Sequence, residues 1–327
     1  MAQKSFYAQA GANRRNSFLL VLLIAAILGL LGLAIGYGTS GDVRVGLGWL
    51  GIFGVVSIVI SIGGYFGGAA MVLAASRARS VTAEQAPQLY NVVTELALAG
   101  GIPMPKIYII EDTAPNAFAT GRDPNHAVVA VTTGLLQKLD REELQGVIGH
   151  ELSHVRNYDI RYAMLVGVLV GTIALVADVF LRMTFWGGFG GGARDDDNNG
   201  GGGLQLLVFV FAIVLAILAP IFAQLVQLAV SRQREYLADT SSVELTRNPA
   251  GLERALLKIG GDTDVLEVAN RATAHMYFTN PIKKFEKRSK GLMSTHPPIL
   301  DRVNRLRALT GEQPIDGSQA PGIAGVD

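Results

Sequence analysis

The chain of 327 residues contains no cysteine. That excludes a disulfide framework and leaves thiolates out of any metal site. Charged residues amount to only 17%, too few for the usual surface of a soluble protein of this length. The net charge is +1, so no basic surplus calls for a nucleic-acid partner. Histidine is scarce, with 5 residues. What is abundant is apolar: 50% of the chain is hydrophobic, and long stretches carry no charge.

Those stretches are long enough to cross a hydrocarbon core of about 30 Å. Phe18 to Tyr37 and Leu50 to Ala75 predict one membrane hairpin. Leu204 to Val230, kinked at Pro220, predicts a further span, and the shorter run Ala163 to Leu181 pairs with it despite Asp178 near its end. The first run exceeds the core of about 7–15 residues of a signal peptide, and a second span follows it, so it reads as an anchor.

Charge is distributed unevenly around these runs. Lys4, Arg14 and Arg15 precede the first, Arg77 and Arg79 follow the second, and Arg232 and Arg234 follow the last. The opposite loops are Gly38 to Gly48, where Arg44 is offset by Asp42, and the glycine-rich segment 187–203 with Asp195, Asp196 and Asp197. Basic flanks mark the cytoplasmic side, so both termini are expected there. Five blocks result: a transmembrane hairpin at 1–80, soluble sequence at 81–162, a second hairpin at 163–230, polar and mostly helical sequence at 231–312, and a flexible tail at 313–327. A hairpin thus interrupts the soluble part, which must assemble from two separate pieces.

Within 81–162, Val81 to Glu84 followed by Leu89, Val92, Val93 and Leu96 predicts a helix with Thr82 and Gln85 as its capping pair. Lys106 to Ile110 and Ala127 to Val131 predict short strands. Asp140, three residues before Glu143, predicts the start of another helix. That helix carries His150-Glu151-Leu152-Ser153-His154, the pattern His-Glu-x-x-His. Residues four apart share a helix face, so both imidazoles reach one metal ion, with Glu151 beside it to take a proton from water. With 5 His and 12 Glu in the chain, chance placement gives this pattern in roughly 0.3% of such sequences, so it stands above noise.

A catalytic zinc site takes three protein ligands and one open position. The candidates for the third are Glu235, Asp239, Asp159, His275 and His296. Gln224, Gln227, Ser231, Glu235 and Asp239 follow steps of three and four, a polar stripe that continues the last span. This stripe favours Glu235 as ligand and Asp239 as acceptor for the other ring N–H of a ligating histidine. The simpler alternative is a solvated helix face with Glu235 paired to Arg232 or Arg234.

At these residues the sequence resembles the HtpX family of integral-membrane zinc metalloproteases, distant kin of the CAAX prenyl endoproteases. The resemblance extends to Pro115-Asn116-Ala117-Phe118-Ala119-Thr120-Gly121, Ala274-His275-Met276-Tyr277-Phe278 and Thr295-His296-Pro297-Pro298 leading to Arg302. It implies an α+β, mainly α fold: a zincin-like catalytic domain with a small β-sheet, joined to about four transmembrane helices in two hairpins. It implies one zinc per chain, held by His150, His154 and Glu235, with Glu151 as base. By that similarity Asn116 and Ala117 lie near the substrate path and His296 near the metal, where it is a candidate oxyanion donor if its loop folds over the site; the plainer readings are a turn residue after Pro115 for Asn116 and a surface histidine before Pro297 for His296. It further implies a multi-pass protein of the bacterial inner membrane that cleaves membrane proteins in quality control under stress, and can cleave itself.

Two other readings compete: a metal-binding scaffold without activity, against which Glu151 argues, and a dedicated processing protease for a peptide or lipidated substrate. A transporter would need paired charges inside the spans, which are lacking. His126 and His275 read as structural, Asp159 as the end of the pentad helix or a partner of Arg161, and Arg302 as a surface or ion-pairing group. Substrate is expected to bind extended beside Ala127 to Val131.

Overall fold

The protein is described by a computed structural model, which covers residues 6–185, 210, 213–214, 234–264, 266, 277–278 and 297–316. Segment 187–203, nearly all of Leu204 to Val230, His275, His296 and the tail beyond 316 lie outside the described residues. The chain divides into two compact units. One comprises Met1–Arg14, Phe66–Met164 and Leu228–Asp327, the other Arg15–Tyr65 and Leu165–Gln227.

In the second unit lie most of α1 (Phe6–Ser40), the first two thirds of α2 (Val43–Ala75) and the later turns of α6 (Asp159–Phe185). Leu31, Ala34, Ile35 and Ala177 are its buried centre, with Phe53 and Val176 packed on them. Phe18, Leu22, Val55, Ile58, Val59 and Ile62 remain exposed, an outward apolar surface of the kind lipid covers. Among the described residues, Ser17–Ser40, Val43–Ala75 and Asp159–Asp178 are long and apolar enough to cross a membrane. The loop expected over Gly38 to Gly48 is much shorter than that. Only Gly41 and Asp42 separate α1 from α2. Gly41 turns the chain at φ 70° and the Asp42 carboxylate accepts the Arg44 N–H at 2.8 Å, which starts the second helix early.

The first unit holds a four-stranded sheet flanked by helices. Its strands are β1 (Arg79–Ser80), β2 (Lys106–Ile110), β3 (Ala117–Thr120) and β4 (Val128–Thr132), in the order β1-β2-β4-β3. β2 and β4 run parallel, while β3 pairs antiparallel with β4 in the register Ala117 to Val131 and Ala119 to Val129. β4 is therefore flanked on both sides, and the expected docking of a peptide beside Ala127 to Val131 does not fit. A valine-rich run marks the strand buried on both faces, not the edge. The outermost strand on this side is β3.

Helix α3 (Pro87–Gly100) begins later than expected. Thr82 N–H does bond to Gln85 Oε1 at 3.0 Å, but this closes a turn, and the helix starts at Pro87, where a missing N–H is harmless. Leu89, Val92, Val93 and Leu96 bury one face against α5 (Arg141–Arg156), which follows the short helix α4 (Thr133–Lys138). The expected cap of α5 is present: Asp140 Oδ1 accepts the Glu143 N–H at 2.9 Å, and Glu143 Oε2 accepts the Asp140 N–H at 2.8 Å. Leu144, Val147, Ile148, Leu152 and Val155 of α5 form the centre of the core.

The other side of α5 is shaped by small residues. A helix at 234–246 (α7) and helix α8 (Pro249–Gly261) lie against it. A Cβ on Gly146 would stand 2.7 Å from the Leu252 backbone, and one on Gly149 would meet Ser242 Oγ at 2.8 Å. Ser242 Oγ donates to Gly146 O at 2.7 Å, which locks α7 to α5. Helix α9 (Ile299–Thr310) packs on α8. Gly146→Ala is expected to wedge α5 from α8 and lower stability by about 1–3 kcal/mol, measured as a drop in the denaturant midpoint of the detergent-solubilised protein.

Candidate active site

Three elements converge at one end of α5. The helix presents His150, Glu151 and His154, α7 presents Glu235 and Asp239, and α9 presents Arg302. His150 Nε2 and His154 Nε2 face each other at 3.1 Å, with the rings nearly perpendicular. Glu235 stands over both, with Oε2 3.6 Å from His150 Nε2 and Oε1 3.4 Å from His154 Nε2. Corners placed about 2.0–2.1 Å from a tetrahedral zinc are about 3.3–3.4 Å apart; the His150–His154 separation is close to such an edge, and one ligand atom from each of the three residues lies within 4.8 Å of the others. The three residues form a group able to hold a metal.

The far side of each ring is also committed. His150 Nδ1 donates to Asp239 Oδ1 at 2.9 Å, and His154 Nδ1 donates to Asp159 Oδ2 at 3.1 Å. With both Nδ1 protons used this way, both Nε2 lone pairs are left for the centre. Asp159 does not end the pentad helix. Asn157 caps α5, Tyr158 turns the chain with φ 61°, and Asp159 opens α6 facing back toward His154. It also lies 3.4 Å from Arg234.

Of the two readings of Arg302, the ion-pairing one holds and the surface one does not. The residue is 1% exposed. Its Nε and Nη2 grip both oxygens of Asp239, at 2.9 and 2.7 Å, and its Nη1 donates to Phe278 O at 3.3 Å. Arg302 Nη2 and His150 Nδ1 lie 3.3 Å apart because they share the acceptor Asp239 Oδ1. The Phe278 ring packs against both His150 and the Arg302 guanidinium, at 4.9 and 4.7 Å.

The titration of the site follows from these partners. Burial pushes His150 down to about 4, against the pull of its bond to Asp239. Burial opposes a proton on His154 too, yet the Asp159 and Glu235 carboxylates outweigh it and hold His154 well above the ordinary range. The centre thus favours a positive charge at His154 Nε2, which a proton or a metal cation can supply. Burial raises Glu151 to about 7, a value suited to exchanging protons near neutrality. Asp239 is held below the usual carboxylate range because the Arg302 charge overcomes the effect of burial.

Glu151 lies toward the sheet as well: α5 packs against β3, and the Ala119 backbone tempers the upward push of burial on its carboxyl. Asn116 and Ala117, at the start of that strand, are both buried. Asn116 Oδ1 accepts the Ala117 N–H at 3.0 Å. His126 lies away from the centre, exposed and bonded to Asp123.

Known proteins resemble this chain over most of its length. The profile of peptidase family M48 matches residues 83–310. A protease HtpX homolog of Listeria monocytogenes serovar 1/2a is 46% identical over 303 residues, 92% of this chain and 98% of its own. Homologs of the same name from Streptococcus gordonii (45% over 303 residues, 93% of this chain and 99% of theirs) and Streptococcus agalactiae serotype III (46% over 301 residues, 92% and 99%) are similarly close. The crystal structure of S. mikatae Ste24p overlaps 85% of this chain and 61% of its own, at 16% identity and a TM-score of 0.48, too distant a likeness to carry an argument. The family match and these relatives define the chain as a membrane metallopeptidase. The chain belongs to peptidase family M48, alongside the HtpX proteases.

Removing Arg302 strands the buried Asp239 carboxylate, so Arg302→Ala is expected to cost about 3–5 kcal/mol of stability. Equilibrium unfolding in detergent measures this, and a loss within about 0.5 kcal/mol would contradict the buried pairing.

Proposed function

We propose that the chain is a zinc-dependent endopeptidase that cleaves damaged or misfolded membrane proteins at the cytoplasmic face of the bacterial inner membrane. The observation that carries this reading is the Glu235 carboxylate spanning two facing Nε2 atoms at 3.4 and 3.6 Å, with Glu151 next to them. His150, His154 and Glu235 hold one zinc per chain, and the absence of cysteine leaves nitrogen and oxygen as the donors. A zinc ion there supplies Lewis acidity, acidifying water and polarising the scissile carbonyl. Glu151 accepts the proton from water and passes it to the leaving amine. Asp239 and Asp159 fix the ring orientations of His150 and His154, and Arg302 fixes Asp239. His296, beyond the described residues, serves as the oxyanion donor by its resemblance to the family.

The substrate lies extended along the outer edge of β3, reaching Asn116 and Ala117. Pairing through main-chain groups is indifferent to sequence, which suits a broad clientele that can include the protease itself. The five-block organisation belongs to the same reading: two membrane hairpins, and a catalytic domain assembled from 81–162 and 231–312. The basic flanks of the apolar runs support the cytoplasmic assignment.

Glu151→Gln is expected to retain one zinc per chain while hydrolysis of casein falls at least about a hundred-fold; Glu235→Ala should lose the zinc. Elemental analysis alongside a cleavage assay checks both, and full activity in the first variant would contradict the assigned base. The cysteine-free chain also permits a clean orientation test. Cysteine placed at the exposed Ser40 should react with an impermeant maleimide outside spheroplasts, whereas cysteine at Leu98, which is 83% exposed, should react only after lysis. The reverse pattern would overturn the topology.

A further inference from the structure

We infer that Tyr277 and Phe278 form a built-in strap on the substrate edge of β3, which an incoming peptide must displace. This rests on the endopeptidase reading above and concerns how that site is controlled.

The register of β3 shows which backbone groups a peptide would use. Asn116 O accepts the Thr132 N–H at 3.0 Å, so Asn116 and every second residue after it bond toward β4. By the alternation of antiparallel pairing, the N–H and C=O of Ala117 and Ala119 point to the outer edge. Two of those four groups already have partners. Ala117 N–H donates to Asn116 Oδ1 at 3.0 Å, and Ala117 O accepts the Phe278 N–H at 2.7 Å. Phe278 thus occupies the outward carbonyl with a main-chain donor, as a paired peptide would.

The strap is anchored on both sides. Tyr277 packs edge-on against Phe118 of β3 at 5.1 Å, and its hydroxyl lies 3.0 Å from Ser76 Oγ, just past the end of α2. The Phe278 ring touches His150, and its carbonyl accepts from Arg302. Tyr277 and Phe278 are each 1% exposed. A peptide that takes the Ala117 carbonyl must therefore lift a segment that also contacts the residue holding Asp239 against His150. Occupancy of the edge and packing around His150 are coupled through these two residues.

Loosening the anchor should favour substrate without touching the chemistry. Ser76→Ala and Tyr277→Phe each remove one neutral hydrogen bond, so KM for a fluorogenic casein peptide is expected to fall about three- to ten-fold with kcat and zinc content unchanged. KM that stays the same or rises in both variants would overturn the strap. A second measurement needs no variant of the strap. In the Glu151→Gln protein, a saturating tryptic casein peptide should speed hydrogen exchange at the Phe278 amide at least about ten-fold, while unchanged protection would refute displacement. Exchange requires no turnover, so it separates failure of the strap from failure of the endopeptidase reading, which would show as no hydrolysis by the unsubstituted zinc-loaded protein.

Discussion

The structure depends on the commitment of two Nδ1 protons. Asp239 takes one from His150 and Asp159 takes the other from His154, so both Nε2 lone pairs turn inward. Neither carboxylate could be buried alone. Asp239 is sustained by the two-pronged grip of Arg302, and Asp159 lies within reach of Arg234. Each charge is thus offset inside the unit, and the rings gain a fixed tautomer from partners brought from α6 and α7. Much of the packing serves that end. Gly146 and Gly149 leave room for α8 and α7 to approach α5, which sets Glu235 and Asp239 over the imidazoles.

The same helix links the metal centre to the sheet. Glu151 follows His150 directly, and α5 packs against β3. A peptide paired with β3, as proposed, would therefore arrive beside Glu151. Phe278 ties that edge to Arg302 and His150, so edge and centre are held by shared contacts. The exposed leucines, isoleucines and valines of α1 and α2 give the chain the surface of a membrane protein, in keeping with its HtpX relatives.

What could be read from the sequence was what local spacing encodes. The pentad places His150, Glu151 and His154 on one turn because i and i+4 share a helix face, and Asp140 with Glu143 marked the start of that helix. Lys106 to Ile110 was legible as a strand from its β-branched residues. Glu235 and Asp239 came from a stripe at helical steps. For Arg302 ion pairing was legible as one of two alternatives, but neither its burial nor its partner was: Asp239 is met through the approach of α9, and nothing in the neighbouring sequence separates a buried arginine from a surface one. Asp159 was misread because the turn at Tyr158 reverses the chain, so its partner lies behind it and not two residues ahead. β3 escaped because Ala117 to Thr120 is short and alanine-rich, with little intrinsic strand preference. Missing it made β4 look like a free edge.

The central claim is that His150, His154 and Glu235 share one divalent ion. X-ray absorption at the zinc edge, on the purified protein and on Glu235→Ala, tests it most directly. The account predicts nitrogen and oxygen donors at about 2.0–2.1 Å with the outer-shell signature of two imidazoles, and loss of that signal in the variant. Folded protein that binds no stoichiometric metal, or a spectrum that survives the loss of Glu235 unchanged, would contradict it.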